Sequence, residues 1–309
     1  MTKFITESEV EEWVLEILQD LGYKILNGKD CDPESEHPLR REYSDVVLVE
    51  KLKEAIARIN PNIPASAREE ALKKVLRTES PDLLTNNNRF HDLLVNGVDV
   101  EYRYKDRIKP DKVWLVDFED PNSKNNEFLA INQFTIIEKD NRRLDVILFI
   151  NGLPLVLIEL KNPVDEKTTV LSAYTQFQTY KSRIPSIFNF NEILVASDGY
   201  EARAGTISSN LERFMPWKKL DADDKLSKKA LQIHVLTTAM FSKKTLLDLI
   251  RNFIVFEKTK KSSVKILAAY HLFGRFSREI KEAQVIPQCF TLFLYIYFRL
   301  FVFEEPTHG

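Results

Sequence analysis

Two almost wholly apolar runs, separated by Asn151-Gly152, constrain the fold of this chain more than any other feature. The first run is DVILFI and the second is LPLVLIEL. An Asn-Gly pair between two such runs predicts a β-hairpin, because these residues accept the left-handed backbone of a tight turn. Neither run alternates apolar with polar residues, so both faces of each strand should be covered. The sequence therefore predicts two adjacent strands at the centre of a sheet.

The segments around this hairpin indicate an α/β protein. A 3.6-residue apolar period after Thr6 predicts an amphipathic first helix, and a polar stretch between Leu39 and Leu84 predicts further helices. Runs of β-branched and aromatic residues predict that the sheet begins at Val98; these runs are VDVEYRY, KVWLVDFE and EFLAINQFTIIE. After the hairpin, TVLSAYTQFQTYKSRI predicts a helix and EILVASDG predicts a strand.

Composition excludes several classes of protein. The chain has 309 residues, a formal net charge of -2 and two cysteines. That charge excludes a uniformly basic nucleic-acid coat, and two cysteines exclude a disulfide-rich scaffold. The acidic start MTKFITESEVEE is not a signal peptide, so we expect a cytoplasmic protein. An aromatic stretch from Phe290 to Phe303 is short and contains Arg299, so no membrane association is expected.

Three charged residues stand where the two apolar runs finish: Asp145, Glu159 and Lys161. Two carboxylates at the mouth of a sheet can bind a hard cation such as Mg²⁺, which takes oxygen ligands. The backbone carbonyl of Leu160 would add a third oxygen, and the lysine could orient or deprotonate a water or stabilise charge on a phosphate. Charges at strand ends also commonly meet solvent with no further role. The tripeptide alone leaves both interpretations open.

The register of the hairpin decides whether this cluster can form. With a two-residue Asn-Gly loop and regular pairing, Asp145 lies opposite Ile158, and its side chain points to the face away from Glu159. A shared site requires the pairing to shift by one residue. We predict either a three-residue loop that extends to Leu153 or a β-bulge in one arm, with both carboxylates on the side of Gln176.

The hairpin and the segments after it resemble a known family. RLDVILFINGLPLVLIELKNP, AYTQFQTYKSRIPSIF, EILVASDGYEARAGTIS and MPWK are similar to the N-terminal nuclease region of the R (restriction) subunit of type I restriction-modification enzymes. The similarity covers most of the chain from Thr6 to about Tyr270. It implies a PD-(D/E)XK restriction-endonuclease-like core, in which helices flank a central mixed β-sheet, with an added helical N-terminal region. It also implies a Mg²⁺-dependent endonuclease that cuts double-stranded DNA and works with specificity and methylation subunits.

The resemblance implies roles for individual residues. Asp145 matches the first carboxylate of the nuclease motif, Glu159 and Lys161 match its E-x-K element, and the proline in the motif's name is absent here. With Leu160 as the third oxygen donor, these residues form the expected metal site. The remaining expected catalytic residues are Gln176 and Tyr180, which match a Q-x-x-x-Y element, and Glu11 on the first helix. Four residues apart on a helix, the Gln and the Tyr share one face, although such a pair by itself is also an ordinary surface feature.

Basic residues flank these motifs and are expected to contact DNA phosphates, which supply most sequence-independent affinity. They are Arg142, Arg143, Lys181 and Arg183. Taken alone, each of them is more often part of a solvated surface.

The family resemblance stops near His271. In the family the nuclease region is followed by a motor that needs a P-loop, G-x-x-x-x-G-K-[ST], and this sequence contains no such motif, so no ATP site is expected. We predict an endonuclease domain over residues 1–256, and over residues 257–309 the start of a missing motor region followed by an aberrant aromatic-rich tail. The alternative is a catalytically idle DNA- or subunit-binding remnant of a truncated restriction gene.

Overall fold

The computed structural model describes residues 6–119, 124–162, 169–217, 232–258 and 263–268. The predicted aromatic tail lies outside these residues. The α-helices are α1 Glu7–Asp20, α2 Gly28–Cys31, α3 Val49–Ile59, α4 Ala65–Leu76, α5 Leu83–Asn96, α6 Val170–Arg183, α7 Gln232–Met240 and α8 Lys243–Asp248. The strands are β1 Lys24–Asn27, β2 Val98–Tyr104, β3 Arg107–Val113, β4 Phe128–Ile137, β5 Asn141–Ile150, β6 Leu153–Leu160, β7 Ile193–Ser197, β8 Ala202–Gly205, β9 Met215–Pro216, β10 Ile254–Lys258 and β11 Ser263–Leu267.

Helix α1 begins where the sequence predicted. Thr6 caps it through a reciprocal pair of hydrogen bonds with Glu9, which satisfies two backbone N–H groups that the first turn leaves free. The helix buries Val10, Val14 and other apolar residues of the predicted period and ends before Gly22, whose φ is +84°. It packs on the sheet through β1 and β6.

Within the described part of the chain, seven strands form one mixed sheet in the order β1-β4-β5-β6-β7-β8-β9. The β5–β6 hairpin is in its middle, antiparallel to β4 on one side and parallel to β7 on the other. Every residue of β6 is buried, with α1 and α6 packed against this strand. The mixed sheet flanked by helices confirms the predicted α/β, restriction-endonuclease-like fold.

The prediction that the sheet begins at Val98 is wrong. Strands β2 and β3 form a separate two-stranded ribbon with a two-residue turn at Lys105 and Asp106, and this ribbon packs on α4. The predicted strand KVWLVDFE ends early, because β3 finishes at Val113. The first strand of the main sheet is β1, a four-residue edge strand parallel to β4. It is too short to show a period of its own.

The described chain continues through α8, a π-helical segment Leu249–Phe253 and a β10–β11 hairpin. The chain up to Ala268 forms one compact unit. The predicted boundary near residue 256 therefore stays a prediction. None of the described helices has the length and apolar character required to cross a membrane.

Candidate functional site

The turn of the central hairpin has two residues. Asn151 and Gly152 have φ values of +54° and +82°, and the pair that closes the turn is Ile150 with Leu153. The predicted three-residue loop is therefore wrong. The turn is buried, and a Cβ on Gly152 would stand 2.5 Å from the carbonyl oxygen of Leu48, so glycine is required both by its φ and by the space.

A β-bulge at Leu155 shifts the register, as the alternative prediction stated. The residues paired on either side of it are Phe149 with Pro154 and Leu148 with Val156. Leu155 has no opposing residue on β5, and every pair beyond it is displaced by one position. Continued one step past Val146 and Ile158, the last pair of the ladder, this register brings Asp145 opposite Glu159. Directly opposed residues share a face, so the two carboxylates can converge.

Glu159 joins the predicted residues of β6 and α6. Its side chain is 2% exposed, one carboxylate oxygen accepts a hydrogen bond from Lys161 Nζ, and the other accepts from Tyr180 Oη at 3.1 Å. Gln176 precedes Tyr180 by four residues on α6, so the two side chains share one helix face, and Gln176 acts to lower the pKa of the Tyr180 hydroxyl. Glu159, Lys161 and Tyr180 form one connected network, which lies on the α6 side of the sheet.

Asp145 completes the cluster from β5. Its Oδ2 accepts a hydrogen bond of 2.8 Å from the backbone N–H of Leu160. The Leu160 carbonyl, the predicted third oxygen donor, accepts a hydrogen bond of 3.0 Å from Lys161 Nζ. Glu159 and Lys161 are two positions apart on an extended chain and so point to one face. The buried Leu160 side chain fixes the segment against the core.

Burial makes both carboxylates weaker acids than usual. Burial raises the pKa of Asp145 to about 6, and the negative charges of Glu7 and Glu11 add to this, against a hydrogen bond from the backbone of Leu160 and the charge of Lys161. Burial and the charge of Asp145 raise the pKa of Glu159 to about 8. The site thus concentrates negative charge that a single lysine does not fully offset.

Lys161 is held as a cation. Burial alone would lower its pKa, but the neighbouring carboxylates, Glu159 first, outweigh burial and raise it. A lysine that keeps its proton donates hydrogen bonds and stabilises negative charge, and it is a poor general base. Burial likewise raises the pKa of the Tyr180 hydroxyl, which therefore acts as a hydrogen-bond donor.

Glu11 reaches the same region from α1. Its two carboxylate oxygens accept hydrogen bonds from Asn132 Nδ2 at 2.7 Å and from Gln133 Nε2 at 2.5 Å. The sequence analysis assigned no role to either amide or to Glu7, whose charge acts on the same aspartate. Glu7 could have been found, because it precedes Glu11 by four residues and so lies on the same helix face. No pattern in the sequence marks the two amides.

The four predicted phosphate-binding residues differ in their surroundings. Arg143 and Arg183 are exposed, and Arg142 is partly exposed and paired with Asp140. Lys181 is partly buried, its pKa is lowered by burial, and its Nζ donates a hydrogen bond of 2.8 Å to a backbone carbonyl in the segment after β8. The two exposed arginines are the ones free to meet a phosphate.

The donor set suits a hard divalent cation. Two carboxylates and a backbone carbonyl are all oxygen donors, and Mg²⁺ is usually bound through one or two carboxylates and several waters. Among the described residues, no three or more His, Cys, Asp or Glu side chains are grouped closely enough to share one ion. Asp145, Glu159 and the Leu160 carbonyl are the residues that could hold the metal.

A mixed sheet flanked by helices, with two carboxylates and a lysine at the end of its central hairpin, has the architecture of restriction-endonuclease-like proteins. The chain belongs to the family Type I restriction enzyme R protein N terminus, which matches residues 4–213.

Its relatives are named as endonuclease subunits of type I restriction enzymes. The chain is 39% identical over 272 residues to the HindI endonuclease subunit of Haemophilus influenzae, covering 86% of this chain and 26% of that protein. It is 30% identical over 284 residues to the putative MjaIXP endonuclease subunit of Methanocaldococcus jannaschii, covering 85% of this chain and 26% of that protein. It is also 30% identical over 148 residues to the EcoprrI endonuclease subunit of Escherichia coli, covering 45% of each protein. The chain thus spans about a quarter of the length of the first two relatives.

Proposed function

We propose that this chain is a Mg²⁺-dependent DNA endonuclease domain that hydrolyses phosphodiester bonds. The observation that carries the proposal is the bulge at Leu155, which aligns Asp145 with Glu159 in the register that a shared metal site requires. We further propose that double-stranded DNA is the substrate, that specificity and methylation subunits are its partners, and that it works in the cytoplasm.

Each residue of the site has a role that follows from its charge and its contacts. A bound Mg²⁺ would supply Lewis acidity and lower the pKa of a water, and Asp145, Glu159 and the Leu160 carbonyl would hold it. Lys161 stabilises negative charge that develops on the phosphate in the transition state. Tyr180 fixes the Glu159 carboxylate through its 3.1 Å hydrogen bond, and Gln176 orients that hydroxyl. Arg143 and Arg183 bind phosphates of the DNA backbone.

The test is cleavage of supercoiled plasmid by the purified chain, with Mg²⁺ and with EDTA. We expect nicking in Mg²⁺ only. Asp145→Asn and Lys161→Ala should each reduce the rate at least about 100-fold, because the first removes a charge that holds the metal and the second removes transition-state stabilisation. Equal cleavage by wild type and Asp145→Asn at the same Mg²⁺ concentration would contradict the site assignment.

Asp99→Asn is a matched control, because Asp99 is an exposed aspartate on β2, outside the cluster. It should cleave like the wild type. If the wild type is inactive, the plasmid-cleavage assay is repeated with the specificity and methylation subunits present. A wild type that binds duplex DNA without cutting it in either condition would favour the idle DNA-binding remnant instead.

A further inference from the structure

Two neighbouring residues of β4 bind the same carboxylate. Asn132 and Gln133 donate hydrogen bonds of 2.7 Å and 2.5 Å to the two oxygens of Glu11, 121 and 122 residues away in sequence. In a regular strand, neighbouring side chains point to opposite faces of the sheet. Both amides can reach one carboxylate only if the strand is distorted at this point.

The distortion is at Gln133, which has a φ of +54°. This left-handed conformation is uncommon for a residue other than glycine, and such residues cluster at functional sites. Gly28 at the start of α2 leaves space for it, because a Cβ there would stand 2.3 Å from the carbonyl oxygen of Gln133. Gly28 on α2 thus accommodates the unfavourable left-handed backbone of Gln133 on β4.

The distorted residue faces the candidate site. On either side of it the β4–β5 pairs are Asn132 with Val146 and Phe134 with Leu144. This register leaves Gln133 across from Asp145. Directly opposed residues share a face of the sheet, so the Glu11 carboxylate that Gln133 binds lies on the side of Asp145.

We propose that Asn132 and Gln133 are positioning residues that hold Glu11 beside Asp145, where its charge strengthens the binding of a divalent cation. The proposal rests on the proposed function. Because no three acidic side chains among the described residues are grouped to share one ion, the contribution is charge and not direct ligation. An unrestrained glutamate samples several rotamers, and two amide donors restrict it to one. The left-handed backbone at Gln133 is what brings the second amide to the carboxylate.

The experiment measures Mn²⁺ affinity of the purified full chain by calorimetry. Gln133→Gly removes the amide and keeps the left-handed backbone, which glycine adopts without strain. Loss of a residue that orients a metal site typically weakens metal binding 10- to 100-fold, and we expect a loss of at least about tenfold here. Glu11→Gln, which removes the charge, should lose at least as much. In the double variant, Gln133→Gly should cause no additional loss, because it acts through Glu11.

Lys105→Gly is the matched control. Lys105 has a φ of +47° at the tip of the β2–β3 ribbon, so glycine relieves the same kind of strain without removing an amide of the site. It should keep wild-type Mn²⁺ affinity, and thermal melting of both glycine variants should show no loss of stability. A purely structural Gln133 would change melting and leave Mn²⁺ affinity intact.

The outcomes separate this inference from the proposed function. If Asp145→Asn weakens Mn²⁺ binding and Gln133→Gly does not, the positioning role of Asn132 and Gln133 is wrong and the metal site stands. Additive losses in the double variant would also overturn that positioning role. If the wild type binds no Mn²⁺, or if the Asp145→Asn variant binds it as tightly as the wild type, both the metal site and the positioning role of Asn132 and Gln133 are wrong.

Discussion

Replacing Lys265 tests whether the β10–β11 hairpin is an integral part of the folded core. Lys265 on β11 is fully buried, and its Nζ donates to Glu192 at 2.6 Å, to the Asn87 side chain at 2.9 Å and to the Asn191 carbonyl at 2.8 Å. Glu192 is also fully buried and contacts His91 at 3.0 Å. One ammonium group therefore links the hairpin to α5 and to the start of β7.

The expected cost follows from the burial of both charges. Removing one partner of a buried ion pair leaves the other charge uncompensated and costs about 3–5 kcal/mol. Lys265→Met keeps most of the side-chain volume and removes the charge, so the free energy of unfolding should fall by about that amount. Lys112→Met is the matched control, since Lys112 forms an exposed ion pair with Asp99 and such pairs contribute about 0–1 kcal/mol.

The assay is equilibrium urea unfolding followed by circular dichroism. The same variant should change the pH dependence of unfolding. Burial would raise the pKa of Glu192, but the charges of Lys265 and His91 outweigh it and lower the pKa. A lowered carboxyl pKa contributes stability that is present above its unfolded value and is lost as pH falls through the folded value. Equal, small losses in Lys265→Met and Lys112→Met, with unchanged pH profiles, would refute the reasoning.

Three further predictions concern the site, the turn and nucleotide binding. Because burial raises the pKa of Asp145 from its ordinary value near 4 to about 6, the metal-free fold should lose about 3 kcal/mol of stability as pH rises through this window. Thermal melting in EDTA as a function of pH should show a smaller loss of stability for Asp145→Asn than for the wild type. Identical pH profiles of the two proteins would contradict the prediction. Gly152→Ala should destabilise by at least about 2 kcal/mol more than Gly22→Ala in urea unfolding, since both have positive φ but only Gly152 faces a backbone carbonyl at 2.5 Å, whereas Gly22 faces a flexible lysine. Calorimetry should detect no micromolar ATP binding to this chain, as it contains no P-loop; measurable affinity would contradict that.

Local signals predicted the elements that depend on local chemistry. Thr6 and Glu9 form the reciprocal cap, and Asn151-Gly152 forms the turn, because each depends on residues within four positions of one another. Strand β1 was missed because its pairing with β4 joins residues about 105 positions apart, and four residues carry no period. The β2–β3 ribbon was assigned to the main sheet because strand composition does not say which strand is the partner.

The site was predictable only as far as its motif residues. Asp145, Glu159 and Lys161 follow from the hairpin and from the resemblance, and the structure brings them together. The amides of Asn132 and Gln133 were not predictable, because a left-handed residue other than glycine leaves no mark in sequence. The pair Lys265 and Glu192 was equally hidden, since 73 residues separate its members.

The bulge at Leu155 shows why the hairpin needed more than a pattern of apolar residues. A strict two-residue turn fixes the pairing at Ile150 with Leu153, and regular pairing from there would place the two carboxylates on opposite faces. One unpaired leucine restores them to one face at no cost in buried apolar surface, because Leu155 is itself fully buried. Apolar composition therefore specifies that both strands are central, while the number of residues in each arm specifies whether they can form a site. Removing Leu155 would make the pairing regular and still leave Asp145 opposite Glu159, whereas the present number of residues without a bulge would place the two carboxylates on opposite faces.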